Sequence, residues 1–217
     1  MRTHICFHGI GRCSREREPG EARYWMGGKV FLDVLDALAE HRSVALSFDD
    51  GNRSDAEFAL PALRERGLSA TFFALAGRLD DAASLGREDL RELRAAGMVI
   101  GSHGWDHVPW QGLTHEAAQR EMVLARLALE EAGGGPITEA ALPLGRYDRV
   151  TLRRLRTAGY RAVYTSDRFR AREDAWLRAR YSVTADDTAA SVLAIASARP
   201  GPREARNVIA SQVKRLR

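Results

Sequence analysis

Two adjacent carboxylates, Asp49 and Asp50, follow the apolar stretch Val44-Ala-Leu-Ser-Phe48 and precede Gly51. Neighbouring carboxylates repel, and apolar surroundings make the repulsion more costly. Such a pair demands a compensating charge. Two histidines, His103 and His107, follow a second apolar stretch over residues 98–102, and His8 ends a third at residues 3–8. Two imidazoles and one carboxylate supply three ligands for a tetrahedral ion and leave a fourth position for water, the pattern of catalytic zinc sites. One aspartate on a dication would have its charge offset locally. Its neighbour could then take a proton from water whose pKa the ion lowers to about 7. Each feature alone is ordinary, since Asp-Asp-Gly is commonly a turn or cap and an isolated His-x3-His is a weak signal. Their joint position directly after apolar stretches is what points to hydrolytic chemistry.

The elements that must hold these residues alternate along the chain. Strand-like runs are expected at 3–8, 43–48, 69–75, 98–102, 139–143 and 161–165, each bounded by turn residues. Between them, Phe31, Val34, Leu35 and Leu38 recur at helical spacing over 30–39. Ser54-Asp-Ala-Glu57 has the form of a capping box opening a helix that ends near Gly67, and Pro61 should kink that helix or reset its start. Further helices are expected at 87–96, 114–132 and 149–158, stopped by Gly97, Gly133 and Gly159, with weaker patterns at 187–198 and 203–217. Strand–helix alternation predicts an α/β fold with a parallel sheet in one domain spanning 1–217. In such folds chemistry gathers at the carboxyl ends of strands. His8, Asp49, Asp50, His103, His107 and the Pro143-Leu-Gly-Arg-Tyr147 stretch therefore belong on one rim.

Composition excludes several functions. The net charge is +4, but the cations are nearly all arginine, with lysine only at 29 and 214, and acids are interleaved throughout. That is the pattern of solvated helix faces rather than of a nucleic-acid footprint. No apolar run approaches the roughly 20 residues of a membrane span. The first residues lack the apolar core of a secretory leader, so a cytoplasmic protein with Cys6 and Cys13 reduced is expected. Gly9-Ile-Gly11 is not followed by a helix pattern, and Ser47 lacks the flanking glycines of a nucleophile elbow.

Ser47-Phe-Asp-Asp-Gly51, Ser102-His-Gly-Trp-Asp-His107 and Leu142-Pro-Leu-Gly145, in this order, resemble the motifs of the polysaccharide deacetylase family, also called the NodB-homology domain or carbohydrate esterase family 4. The resemblance covers about residues 43–168. It implies a distorted (β/α)7 barrel and the metal-dependent removal of acetyl groups from sugars. By position it implies that Asp49 is the catalytic base, that Asp50, His103 and His107 are ligands of a divalent metal, and that the Leu144 amide stabilises the oxyanion. Zinc is the expected ion, with Co2+, Ni2+, Fe2+ or Mn2+ as substitutes. Pro143, Gly145, Arg146, Trp105 and Tyr147 are candidates for substrate contacts, with Trp105, Trp110 and Tyr147 as walls for a sugar ring.

Three departures stand out. Ala141 takes the place of the motif arginine that orients the base, leaving Arg146, Arg168 or Arg180 as substitutes. Gly104 replaces a hydroxyl residue, and no late strand ends in the histidine that serves as general acid, so His8 is the candidate for that task. The expected substrate is a small N-acetylated sugar, glycoside or sugar-linked precursor. A hydrolase of another small amide or imide, or a catalytically impaired deacetylase-like sugar-binding or interaction module, are the alternatives.

Overall fold

The computed structural model describes all 217 residues. Seven strands close into an all-parallel barrel: β1 (Thr3–Phe7), β2 (Val44–Phe48), β3 (Ala70–Ala74), β4 (Val99–Ser102), β5 (Glu139–Ala141), β6 (Ala162–Thr165) and β7 (Leu177–Ser182). β1 pairs with β2 along its whole length, from Thr3 opposite Val44 to Phe7 opposite Phe48, and on its other edge with β7. The β4–β5 contact is the shortest of the seven, a single register pair, Ser102 with Ala140. This is the distorted (β/α)7 barrel that the motifs imply.

Side-chain alternation splits each strand between two environments. Ile5, Phe7, Leu46, Phe48 and Phe72 point into the layer between barrel and helices, where they form one large buried cluster. Phe7 and Phe48 stack at 5.2 Å and Phe48 and Phe72 at 4.6 Å, with Phe31 edge-on to Phe7. Phe31 comes from α1 (Gly28–Leu38), whose Val34, Leu35 and Leu38 are buried with it, as their spacing predicts. The barrel interior is different. A small cluster of Phe73, Ala141, Ala162 and Tyr164 sits there, together with polar groups that include Arg180, bonded to Ser47, and Glu139, bonded to Tyr164 and Thr71.

Two helices depart from the expectation. Ser54 does not cap: its hydroxyl accepts from the Ile10 amide at 3.1 Å instead. The chain then makes a π-turn over Asp55–Ala59 before α2 (Leu60–Glu65), so Pro61 falls in the first turn of a restarted helix, where a missing N–H costs little. α3 (Arg87–Ala95) follows as predicted. The long 114–132 pattern is one unbroken helical run that widens in its middle: α4 (His115–Gln119), a π-turn over Arg120–Leu124, then α5 (Ala125–Gly133). After α6 (Arg149–Thr157) come α7 (Ala189–Ser197) and α8 (Pro202–Leu216). No helix is long and apolar enough to cross a membrane. β7 is the element that the apolar pattern does not reveal, because Leu177-Arg-Ala-Arg-Tyr-Ser182 turns arginines inward.

Candidate active site

The carboxyl ends of β1, β2, β4 and β7 meet at a cavity of ≈ 340 Å³ whose walls include His8, Asp49, Asp50, His103, His107 and Arg180. Asp49 and Asp50 emerge from β2, His103 follows β4, and His107 returns from the loop after it. Asp50 Oδ1 lies 3.5 Å from His103 Nε2 and 3.2 Å from His107 Nε2. Both values are close to the ligand–ligand edge of about 3.3–3.4 Å expected for a tetrahedral ion with arms of about 2.0–2.1 Å.

The opposite ring nitrogens are already engaged. His103 Nδ1 faces the Ala141 carbonyl at 2.9 Å, and His107 Nδ1 faces Glu18 Oε1 at 2.6 Å. A carbonyl and a carboxylate can only accept, so each ring donates from Nδ1 and keeps its Nε2 lone pair for the centre. Asp50 Oδ1 is buried with no hydrogen-bond donor. An orphaned carboxylate oxygen facing two imidazole lone pairs is the donor set that a divalent cation satisfies. These residues therefore fit the ion.

The backbone reaches this arrangement through left-handed conformations that side chains avoid. Asp50 has φ 72°, His107 58° and Leu144 54°. Each such residue costs on the order of 1–3 kcal/mol, and such costs gather at functional sites. At Gly51 the left-handed turn is accompanied by close approach, since a Cβ would lie 3.2 Å from Ala74 Cα.

Arg180 supplies the cation at Asp49 that Ala141 cannot. It reaches across from β7, its Nη1 donating to Asp49 Oδ1 and its Nη2 to Asp49 Oδ2, both at 2.6 Å. Both side chains are almost fully buried. Burial alone would push the Asp49 carboxyl up; the Arg180 charge, together with the two hydrogen bonds it donates, holds it below its ordinary value. Asp49 is thus ionised at neutral pH although it sits in the barrel mouth.

His8 lines the same cavity, its ring tilted by 36° against Tyr24 with centroids 4.8 Å apart, and its Nδ1 is buried without a partner. Burial holds its pKa below the ordinary histidine value, against the pull of Asp50 and Asp49. Leu144 and Arg146 are exposed on the rim, where Leu144 sits in the tight turn Pro143–Gly145. Gly145 has φ 62°, and a Cβ there would strike Ser166 Oγ at 2.1 Å. Pro143 is buried beneath the turn. Tyr147 is not on the cavity wall: it is buried, with its hydroxyl donating to Asp167 and hydrogen-bonded to Ser211. Trp105 packs under Arg120 and against Gly77, also away from the cavity, and Trp110 is fully buried with its indole on Glu121, so it is no sugar wall either.

Gly104 has a positive reason in this chain. A Cβ there would come within 2.5 Å of Glu121 Oε2. Buried Glu121 accepts from the Trp105 amide at 2.7 Å, the Asp106 amide at 3.1 Å and the Trp110 indole at 3.5 Å, bracing the loop that carries His107. Glu121 projects from the π-turn between α4 and α5, a distortion frequent near functional sites. Neither Glu121 nor Glu18 stands out in the sequence. Arg180 was one of three arginines open to the role, and only the inward alternation of Arg178, Arg180 and Ser182 on a strand could have singled it out.

A family model described as polysaccharide deacetylase matches residues 37–163 of this chain. YxkH of Bacillus subtilis (strain 168) is 28% identical over 148 residues, covering 68% of this chain and 53% of that protein. The chitooligosaccharide deacetylase of Rhizobium leguminosarum bv. trifolii is 29% identical over 132 residues, 60% of each chain. The chain thus spans little more than half the length of these curated relatives. Among solved structures, the deacetylase PplD of Streptococcus pyogenes, in complex with acetate, superposes with a TM-score of 0.80 at 18% identity, covering 91% of this chain and 98% of that one. IcaB from Ammonifex degensii superposes with a TM-score of 0.74 at 25% identity, covering 90% and 97%.

Proposed function

Because the chain belongs to the polysaccharide deacetylase family, we propose that it is a metal-dependent hydrolase that removes the acetyl group from a small N-acetylated sugar, glycoside or sugar-linked precursor. The observation that carries this reading is the convergence of Asp50 Oδ1, His103 Nε2 and His107 Nε2 beside an Asp49 that Arg180 holds ionised. Asp50, His103 and His107 would hold the ion, zinc by preference for this nitrogen and oxygen set. Bound there, it would polarise the acetamide carbonyl and lower the pKa of water at the site.

The chain's own groups perform the remaining tasks. Asp49 is the general base: with both oxygens pinned by Arg180 it keeps a fixed orientation, and each oxygen retains a lone pair to accept the proton of the attacking water. The Leu144 amide, in its left-handed turn, is assigned to the oxyanion, a contribution typically worth about 3–4 kcal/mol. His8 is assigned as the general acid. Its depressed pKa leaves the ring neutral at rest, so the proton it delivers to the departing amine is the one Asp49 takes from the attacking water, passed to a His8 nitrogen that lies within 4.8 Å of an Asp49 oxygen. Arg146, exposed at the rim, is assigned to the part of the substrate that projects from the cavity. The Arg180–Asp49 pair favours an active enzyme over an impaired sugar-binding module, because it supplies what Ala141 cannot.

The test is metal content together with acetate release from N-acetylglucosamine-containing substrates. Wild type should bind one divalent ion and release acetate, and Asp49→Ala should keep the ion while losing turnover. A fully loaded wild type that cleaves no acetamide would overturn the assignment. His8→Ala with unchanged turnover would remove His8 from its role.

A further inference from the structure

Residues 12–27, which link β1 to α1, form a strap over one side of the cavity, and they lie outside the stretch matched by the family model. The strap is held by several bonds. The Arg17 guanidinium donates to the Ala83 carbonyl at 2.8 Å, and its amide donates to Glu21 Oε2 at 2.6 Å. The Ala185 amide donates to the Arg23 carbonyl at 2.7 Å. From this strap Glu18 reaches inward, and its Oε1 lies 2.6 Å from His107 Nδ1 and 2.8 Å from Arg78 Nη2. Arg78 follows β3 in the 3-10 turn Ala76–Arg78. One carboxylate oxygen therefore ties the strap, a His of the metal set and a cation from a third element.

We infer that Glu18 is a positioning residue for His107, and that through it the strap and the metal site stabilise each other. The inference rests on the proposal that Asp50, His103 and His107 hold the ion. His107 is the ligand most in need of such support: its backbone is left-handed, with φ 58°, and it stands on a loop rather than at a strand end. A carboxylate on Nδ1 fixes the ring orientation, fixes the tautomer that leaves Nε2 free, and raises ligand basicity. The coupling is reciprocal. If Glu18 tightens ion binding, the ion must favour the docked strap by the same factor.

The experiment measures divalent-ion affinity by competition with a chromophoric chelator, using Zn2+ and Co2+ on the whole chain. Glu18→Ala is expected to weaken binding about 10- to 100-fold, the usual cost of losing such a partner. Glu18→Gln, whose amide oxygen still accepts from Nδ1, should recover part of the loss. The visible bands of the Co2+-loaded protein should shift in Glu18→Ala and return toward wild type in Glu18→Gln. Trypsin reports on the strap at Arg12, Arg15, Arg17 and Arg23. Ion should protect these bonds in wild type and fail to protect them in Glu18→Ala at saturating ion.

Wild-type affinity within twofold in Glu18→Ala, with an unchanged Co2+ spectrum, would overturn the inference. So would an ion-free unfolding midpoint that falls as far as the loaded one, since Glu18 would then support the fold and not the ligand. If wild type itself binds no ion, the metal reading fails first, and the two failures are distinguishable.

Discussion

Arg180→Met is the substitution that most directly separates stability from chemistry at this site. It removes the guanidinium while keeping a side chain about as long as arginine's stem, and it leaves Asp49 buried with both oxygens stripped of their 2.6 Å donors. Removing one partner of a buried ion pair costs about 3–5 kcal/mol, because the survivor remains an uncompensated charge. For a chain of 217 residues, each kcal/mol corresponds to roughly 2–4 °C in Tm, so the midpoint should fall by about 6–20 °C. The pH dependence follows from the sign of the Asp49 shift. Its folded pKa is depressed, so it contributes stability that is complete above the unfolded value of about 3.9 and is lost as pH falls through the folded value. Without Arg180, burial acts against fewer opposing charges and the folded pKa moves up. The gap in stability between wild type and Arg180→Met should therefore be widest near neutral pH and shrink on acidification. The acid limb of kcat/KM should move to higher pH in the variant, since the base must be ionised to act. Urea denaturation across pH and a pH–rate profile measure both. Adding Asp49→Asn to Arg180→Met should recover part of the lost stability, as a coupled pair requires. A cost under about 1 kcal/mol together with an unmoved acid limb would refute the assignment of Arg180 as the partner that tunes Asp49.

Other consequences are open to simpler measurements. Glu121→Ala should cost about 3 kcal/mol by orphaning the Trp105 and Asp106 amides and the Trp110 indole, and it should weaken ion binding; chemical denaturation and metal titration report the two effects. Gly104→Ser should be poorly tolerated despite restoring the family's hydroxyl, because the new Cβ meets Glu121 Oε2 at 2.5 Å in a backbone with φ +93°; a soluble variant with unchanged Tm would contradict this. His4 is held down to about 3 by burial and by Arg178, Arg180 and Arg2. Because the unfolded chain takes up this proton first, up to about 5 kcal/mol is lost as pH falls from 6.5 toward 3, and His4→Gln should flatten that part of the stability curve. Divalent ion at about 100 times its Kd should stabilise the protein by about 2.7 kcal/mol, an effect that chelation reverses and His103→Ala abolishes; differential scanning calorimetry measures it.

Much of the barrel is legible residue by residue. Period-2 and period-3.6 apolar patterns locate six of its strands and most helices, because burial against one outer layer imposes them directly. β7 escapes, since a strand whose inward side chains are Arg178 and Arg180 has no apolar alternation to show. Ser54 is misread for a related reason. Its hydroxyl has a choice of donors, and the Ile10 amide, 44 residues away, is available only once β1 is in place.

The sequence by itself determined the donor types and their order: Asp49 and Asp50 after β2, and His103 and His107 after β4. Short-range spacing and strand ends place them on one rim. Only the tertiary structure decided which nitrogen of each histidine is free, because that depends on the Ala141 carbonyl and on Glu18, 89 residues from His107. It also decided what attends Asp49. The cation arrives from Arg180, 131 residues further along, and is brought there by barrel closure between β1 and β7. Local pattern fixes which chemistry a segment can offer, whereas partners that satisfy buried charge are chosen by distance in space, which sequence separation does not encode.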